Sequence, residues 1–526
     1  MKLKIFLKEY LIAAAAGLIL AALLALSQPG NWMGGWLAFS AILVPGLIVL
    51  VILWRWAGAG KNLFWFILIA LVLRIGVGVA LEQVLPVAGS GADNQLAGYV
   101  FYDSYHRDTQ AWSLAESDQP IIKAFSKSYS MDQYGGLLAL SALTYRVISP
   151  DAHRPLLVIV LAALTAAAGV ALAWRASRLA WGEAIAAPVA LLLSIYPESV
   201  LQGSSQMREP FLITFVTMTF LGAALWQSAR RSAWAWLAAG LVGMLLFSPG
   251  IAVFSLVVLA GWVWLQSEKR RIPWCALLIG AAVLVAALLL LWAGLARGNL
   301  AGKSPVEVLG SWLSLSSQWD IYLLEQNSGW VQKLFDSMPA WLHLPFVIGY
   351  GLAQPVLPAT IADPTWWPWK VIGILRSTGW YALAPFLVYS LFAILRGEKL
   401  NRAAWLWLWA ASWVWSILSA VRAGADQWDN PRYRIIFLFM QVAVAAYAWV
   451  RQRVTRDPWL GRILIVEGIF LVFFGEWYIS RYLGVLGKLP FGVMVACIIV
   501  LSILVLIGGW WWDRRKIVPG SRVARK

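Results

Sequence analysis

Three short polar runs interrupt an otherwise apolar chain. The first reads Phe101-Tyr102-Asp103-Ser104-Tyr105-His106-Arg107-Asp108-Thr109-Gln110-Ala111-Trp112. Two carboxylates, an imidazole and a guanidinium lie close together in it. A carboxylate set there can act as general base toward a hydroxyl or amine. For Asp108 these residues alone favour, by a little, a second role as the N-cap of the short amphipathic helix that follows, because Asp is a favoured capping residue. The second run, Tyr196 to Pro210, ends in Arg208-Glu209 at the head of an apolar helix, where charge is costly and often functional; a local Arg–Glu pair is the plain alternative. The third run, Arg422 to Arg434, closes on Arg432-Tyr433-Arg434. Guanidinium groups hold phosphate bidentately, so this cluster suits a lipid phosphate or pyrophosphate, or ordinary anionic headgroups. His106, His153 and His343 are the only histidines, and their separation gives no zinc-ligand spacing.

The elements that must position these runs are membrane helices. Of 526 residues, 61% are hydrophobic and only 13% charged, about half the charge of a soluble domain. That excludes a soluble enzyme and a disordered chain. The net charge of +17 does not call for nucleic acid, because the basic residues fall mostly between hydrophobic stretches. Cys275 and Cys497 lie in apolar runs and form no disulfide framework. No ATP-type phosphate loop, GxSxG or HExxH is present.

A spanning helix needs about 20 apolar residues. Fourteen stretches qualify: 10–27, 37–54, 63–82, 155–173, 184–202, 210–227, 232–247, 249–266, 273–295, 376–395, 403–421, 435–450, 463–480 and 490–511. The expectation is an all-α polytopic integral membrane protein with about fourteen transmembrane helices. The connectors holding Arg55/Lys61, Arg175/Arg178, Arg230/Arg231, Lys269 to Arg271 and Arg451 to Arg462 all fall on one side. The positive-inside rule makes that side cytoplasmic, with both termini there and the polar runs outside, in a plasma (inner) membrane. Two outside segments, 83–154 and 296–375, are too long to be connectors and are expected to carry membrane-lying helices. Tyr134 to Ile148 is one of these, because as a span it would invert every later loop. Arg74, inside a span, is expected to snorkel outward. The chain divides into two N-terminal helices (1–62), a membrane core (63–295) with its first outer loop 83–154, the second outer segment (296–375) and C-terminal helices (376–526).

This arrangement resembles the GT-C superfamily of membrane glycosyltransferases, such as protein O-mannosyltransferases and the aminoarabinose transferase of lipid A. Asp108, Trp112 and Ala115 look like the family's Asp-x-x-x-Tyr-x-x-x-Ala run, with Trp for Tyr and one residue fewer before Ala; Asp103 is the rival for the same role. Leu156 to Trp174, the Arg175–Gly182 turn and Ala184 to Pro197 are similar to the family's helix, Arg-x-x-Gly turn and helix ending in Pro. Glu209 stands where the family places a second acidic residue, and Arg432-Tyr433-Arg434 resembles its late carrier-phosphate element. The lack of a Trp-Trp-Asp-Tyr-Gly motif sets the chain apart from oligosaccharyltransferase.

The resemblance implies inverting transfer of a sugar from a polyprenyl-phosphate carrier to an acceptor lipid, glycan or protein on the outer face. It assigns Asp108 or Asp103 as base, and Arg432, Tyr433, Arg434 and Arg208 to the donor phosphate. Glu209 would orient the acceptor or bind a divalent cation such as Mg or Mn. Two rivals are a lipid-linked oligosaccharide flippase, which needs midplane charges and internal repeats, and a surface-polysaccharide polymerase or ligase.

Overall fold

In a computed structural model, the described residues are 2–129, 131–266, 336–362, 365–397, 401–424, 426–482 and 489–516, with parts of 278–289 and isolated residues between. Among them the protein is helical throughout. Eleven helices are long and apolar enough to cross a membrane, which makes this a polytopic α-helical membrane protein. They coincide with eleven of the fourteen expected stretches. Of the other three, 184–202 is a helix pair bent by 54° at Tyr196-Pro197, and 232–247 is the shorter helix Ala233–Phe247. The stretch 273–295 falls largely outside the described residues, as does 296–335 of the second long segment.

The chain forms two compact units. The first comprises Met1–Leu352 with Ala403–Ala443. Its opening helices are α1 (Lys2–Ala25), α2 (Trp32–Ala57), α3 (Lys61–Ala88), α4 (Asp93–Leu96), α5 (Tyr102–Glu116), α6 (Gly136–Ile148), α7 (Leu156–Trp181), α8 (Glu183–Ile195), α9 (Pro197–Gly203), α10 (Glu209–Gln227), α11 (Ala233–Phe247) and α12 (Pro249–Gln266). Helices α7 and α10 are enclosed along most of their length, whereas α1 and α2 keep apolar side chains such as Leu11, Ile19 and Leu37 exposed, as a lipid-facing surface requires. Thr214 on α10 donates to Thr165 O on α7 at 3.0 Å, a polar tie of the kind that joins membrane helices. At 13 residues, α6 is too short to span, in keeping with the membrane-lying helix expected there. Asp132 caps it, accepting from the N–H groups of Leu137 and Leu138 at 2.9 and 3.0 Å.

Arg74 does not snorkel. It is 1% exposed and donates to Leu193 O and Ser194 O at 3.0 Å each, and to Ser199 Oγ at 2.9 Å. The reason lies in the bend. Pro197 has no N–H, so α8 ends with unsatisfied carbonyls, and inside a membrane these need a donor from the protein. Arg74 supplies it from α3. Gly203 lets the guanidinium past: a Cβ there would sit 2.6 Å from Arg74 Cδ.

The second unit comprises Ala353–Arg402 with Val444–Lys526. Tyr389, Ala393, Ala448, Trp459 and Leu460 form its core, and Phe392 stacks on Trp459 at 4.7 Å. Arg462 pairs bidentately with Asp513, both contacts at 2.7 Å.

Candidate functional site

The three polar runs meet at Arg432, which is 5% exposed. Its Nε lies 3.2 Å from Glu209 Oε1, its Nη1 3.1 Å from Asp429 Oδ1, and its Nη2 3.3 Å from Asp103 Oδ2. Each carboxylate stands in the first turn of its helix, Asp103 on α5, Glu209 on α10 and Asp429 on Asp429–Arg434, where the helix dipole favours negative charge. Trp415 holds the last of these helices in place, its indole N–H donating to Tyr433 O at 3.0 Å.

The two edges of the Arg432 guanidinium differ. Glu209 on the Nε edge has no solvent exposure, whereas Asp103 and Asp429 on the Nη edge are 50% and 31% exposed. The Nη contacts, at 3.1 to 3.4 Å, are longer than the roughly 2.7–2.9 Å of a strong charge-assisted bond. The Nε contact with Glu209, at 3.2 Å, is no shorter, so the two edges differ in exposure: one is closed by a buried carboxylate and the other reaches solvent.

The other residues expected at a phosphate are near but unequal. Arg208 lies 3.9 Å from Glu209 and over the Tyr134 ring. Burial lowers the Arg208 guanidinium, but the Glu209 and Asp132 charges raise it above its ordinary value, so it stays cationic. Tyr433 donates to Asp429 Oδ2 at 3.3 Å and carries Arg422 over its ring at 4.5 Å. Arg434 is 1% exposed and faces the interior. Among the described residues, no group of three or more His, Cys, Asp or Glu side chains is arranged to hold a metal ion; Asp103, Asp429 and Glu209 gather around a guanidinium.

Asp108 contacts none of these residues, and it is no helix cap. Helix α5 begins six residues earlier, at Tyr102, so Asp108 is in its interior and 2% exposed. The carboxylate is enclosed by donors. Tyr145 donates to Oδ1 at 2.6 Å, Tyr99 donates to Oδ2 at 2.7 Å, and His153 Nε2 meets Oδ2 at 2.8 Å. Burial, and then the charge of Asp108, push both phenols well above their ordinary range, so they remain donors at any physiological pH. Trp112 stacks on the His153 ring at 5.1 Å, and Tyr145 meets it edge-on at 4.9 Å.

No protein-family model, curated protein or solved structure matches this chain.

His153 stands outside the three polar runs and has no metal-ligand spacing, so the sequence does not mark it. Its partner Asp108 is 45 residues away, and no helical or strand period links positions so distant. Tyr99 and Tyr145 carried no signal for the same reason. Asp429 did: it stands three residues before Arg432, the spacing of a helical ion pair.

Proposed function

We propose that the protein is a membrane glycosyltransferase that moves a sugar from a polyprenyl-phosphate carrier to an acceptor lipid, glycan or protein on the outer face of a plasma (inner) membrane, with inversion. The observation that carries this reading is the Arg432 cluster: one arginine, paired with buried Glu209 at its Nε edge, whose Nη edge meets two partly exposed carboxylates.

A lipid phosphate leaves an anomeric carbon poorly unless its growing charge is neutralised. A donor phosphate entering at the Nη edge would displace Asp103 and Asp429 and form two parallel bonds to the guanidinium. Arg208 adds positive field beside it. In a water-poor site a single such donor contributes roughly 100- to 1,000-fold in rate. The displaced Asp103, half exposed, is then free to orient the sugar or the acceptor. Glu209 acts through Arg432, and Tyr433 and Arg434 complete the helix that carries it. Asp108 is closed off from an acceptor, being 2% exposed and surrounded by Tyr99, Tyr145 and His153; it works through the group it holds.

Reconstituted vesicles loaded with radiolabelled polyprenyl-phosphate sugars test this reading. Release of polyprenyl phosphate from the donor supports it. Labelled lipid that crosses the bilayer intact, with no phosphate carrier released, supports a flippase.

A further inference from the structure

His153 sits on a segment built to hold it still. The next residue, Arg154, has no solvent exposure. It donates to both oxygens of Asp151 at 2.7 Å, to Ser149 Oγ at 2.6 Å, and to the carbonyls of Pro29 and Asn31 at 3.1 Å. Pro29 and Asn31 belong to the turn between α1 and α2. That turn is shaped for the guanidinium: Gly30 has φ +85°, and a Cβ there would lie 2.8 Å from an Arg154 nitrogen. The N-terminal hairpin, through Arg154, thus braces the loop that presents His153.

The ring itself is fixed on three sides. Trp112 covers one face, Tyr145 meets it edge-on, and Asp108 holds Nε2. Because both phenols donate to Asp108, the third contact is a donated N–H, which places the proton of the neutral imidazole on Nε2 and its lone pair on Nδ1. Among the described residues Nδ1 has no partner, and the side chain is 27% exposed. A carboxylate that orients an imidazole and stabilises its protonated form is the arrangement by which histidine becomes an efficient base.

We infer that His153, oriented by Asp108, is the general base that takes the proton from the acceptor. This rests on the transferase reading. The acceptor's O–H or N–H proton passes to His153 Nδ1 as the acceptor heavy atom bonds to the anomeric carbon. The carbon–oxygen bond to the carrier breaks, and its electron pair leaves on the phosphate. Asp108 balances the imidazolium until the proton is released to water. Asp108 is then a positioning residue, and the two carboxylates of the first polar run serve different partners: Asp103 serves Arg432, and Asp108 serves His153.

Diethyl pyrocarbonate acylates neutral imidazole nitrogen, and with only three histidines in the chain each site can be followed by peptide mass spectrometry on the vesicle-reconstituted protein. The expected result is that His153 reacts at least about tenfold faster than His106, that Asp108→Asn removes this advantage, and that Asp103→Asn leaves it. In the turnover assay, His153→Ala loses activity and added imidazole restores part of it, which a purely structural histidine would not show. Should Asp108→Asn fail to fold, the wild-type acylation ratio and the imidazole rescue decide. His153 acylated no faster than His106, or His153→Gln turning over donor at the wild-type rate, overturns the inference. If wild type turns over no donor while His153 keeps its Asp108-dependent reactivity, the transferase reading fails and the activated imidazole stands.

Discussion

Glu209 Oε1 lies 3.2 Å from Arg432 Nε, and Glu209 has no solvent exposure. The pair fastens the first turn of α10 to the short helix Asp429–Arg434, which follows more than two hundred residues later. Asp103 reaches the same guanidinium from α5 but is half exposed. One arginine therefore has one buried partner, Glu209, and two that reach solvent, Asp103 and Asp429.

The two carboxylates should separate in stability measurements. Removing one partner of a buried ion pair costs about 3–5 kcal/mol, against roughly 0.2–1 kcal/mol for an exposed pair. Glu209→Gln should lower the thermal midpoint in detergent markedly, and Asp103→Asn should barely move it. Equal shifts would mean that Arg432 does not distinguish its two edges.

Arg74 should be required for the bend at Tyr196-Pro197. Arg74→Leu leaves Leu193 O and Ser194 O without a donor, at about 1–3 kcal/mol each. Unfolding in detergent should show a loss of about 2–6 kcal/mol on that basis. Gly203→Val should act in the same direction, because its Cβ would meet Arg74 Cδ at 2.6 Å. A neutral Arg74→Leu would mean that the α8 carbonyls find another partner.

The hairpin of α1 and α2 should matter to turnover though it contributes no side chain to the Arg432 cluster. Gly30→Val, at φ +85° and against Arg154, displaces the loop carrying His153. Small misplacements of a reacting group cost up to about 100-fold in rate. The expected result is a fall in kcat with donor KM little changed. A fall confined to KM would place the hairpin on the donor side.

Asp426 gives a pH-dependent test of the third polar run. Its Oδ1 accepts from the N–H groups of Trp428 and Asp429 at 2.6 and 3.0 Å, while burial and then the charge of Asp429 raise its carboxyl above the ordinary range. A carboxyl raised on folding stabilises the fold below its unfolded value, near 4, and that contribution is lost as pH rises through the raised value. Asp426→Asn keeps the accepting oxygen and removes the charge. The variant should melt higher than wild type at neutral pH, with the gain vanishing below about pH 4. A gain independent of pH would refer the effect to something other than ionisation.

How much of this was legible in the sequence follows from how far apart the determinants lie. The spans were legible because each needs only its own residues to be apolar, and eleven of the expected stretches form such helices. The meeting of Asp103, Glu209 and Arg432 was half legible: each stood out as charge in an apolar chain, but nothing in the sequence said that the Arg432 guanidinium would gather both carboxylates. The surroundings of Asp108 were not legible. Its donors Tyr99, Tyr145 and His153 come from three separate segments, and only the packing of α5 and α6 brings them together. Arg74 was misread because Pro197 announces a bend without announcing which helix must serve the carbonyls it leaves.

The role of Arg432 at a donor phosphate is measured by the rate of polyprenyl-phosphate release by wild type and Arg432→Lys in reconstituted vesicles. Lysine keeps the charge but cannot form two parallel bonds to a phosphate. Wild type should release the carrier, and kcat for Arg432→Lys should fall by about 100-fold or more, with the fold intact by thermal unfolding. Release at the wild-type rate by a folded Arg432→Lys would contradict that role.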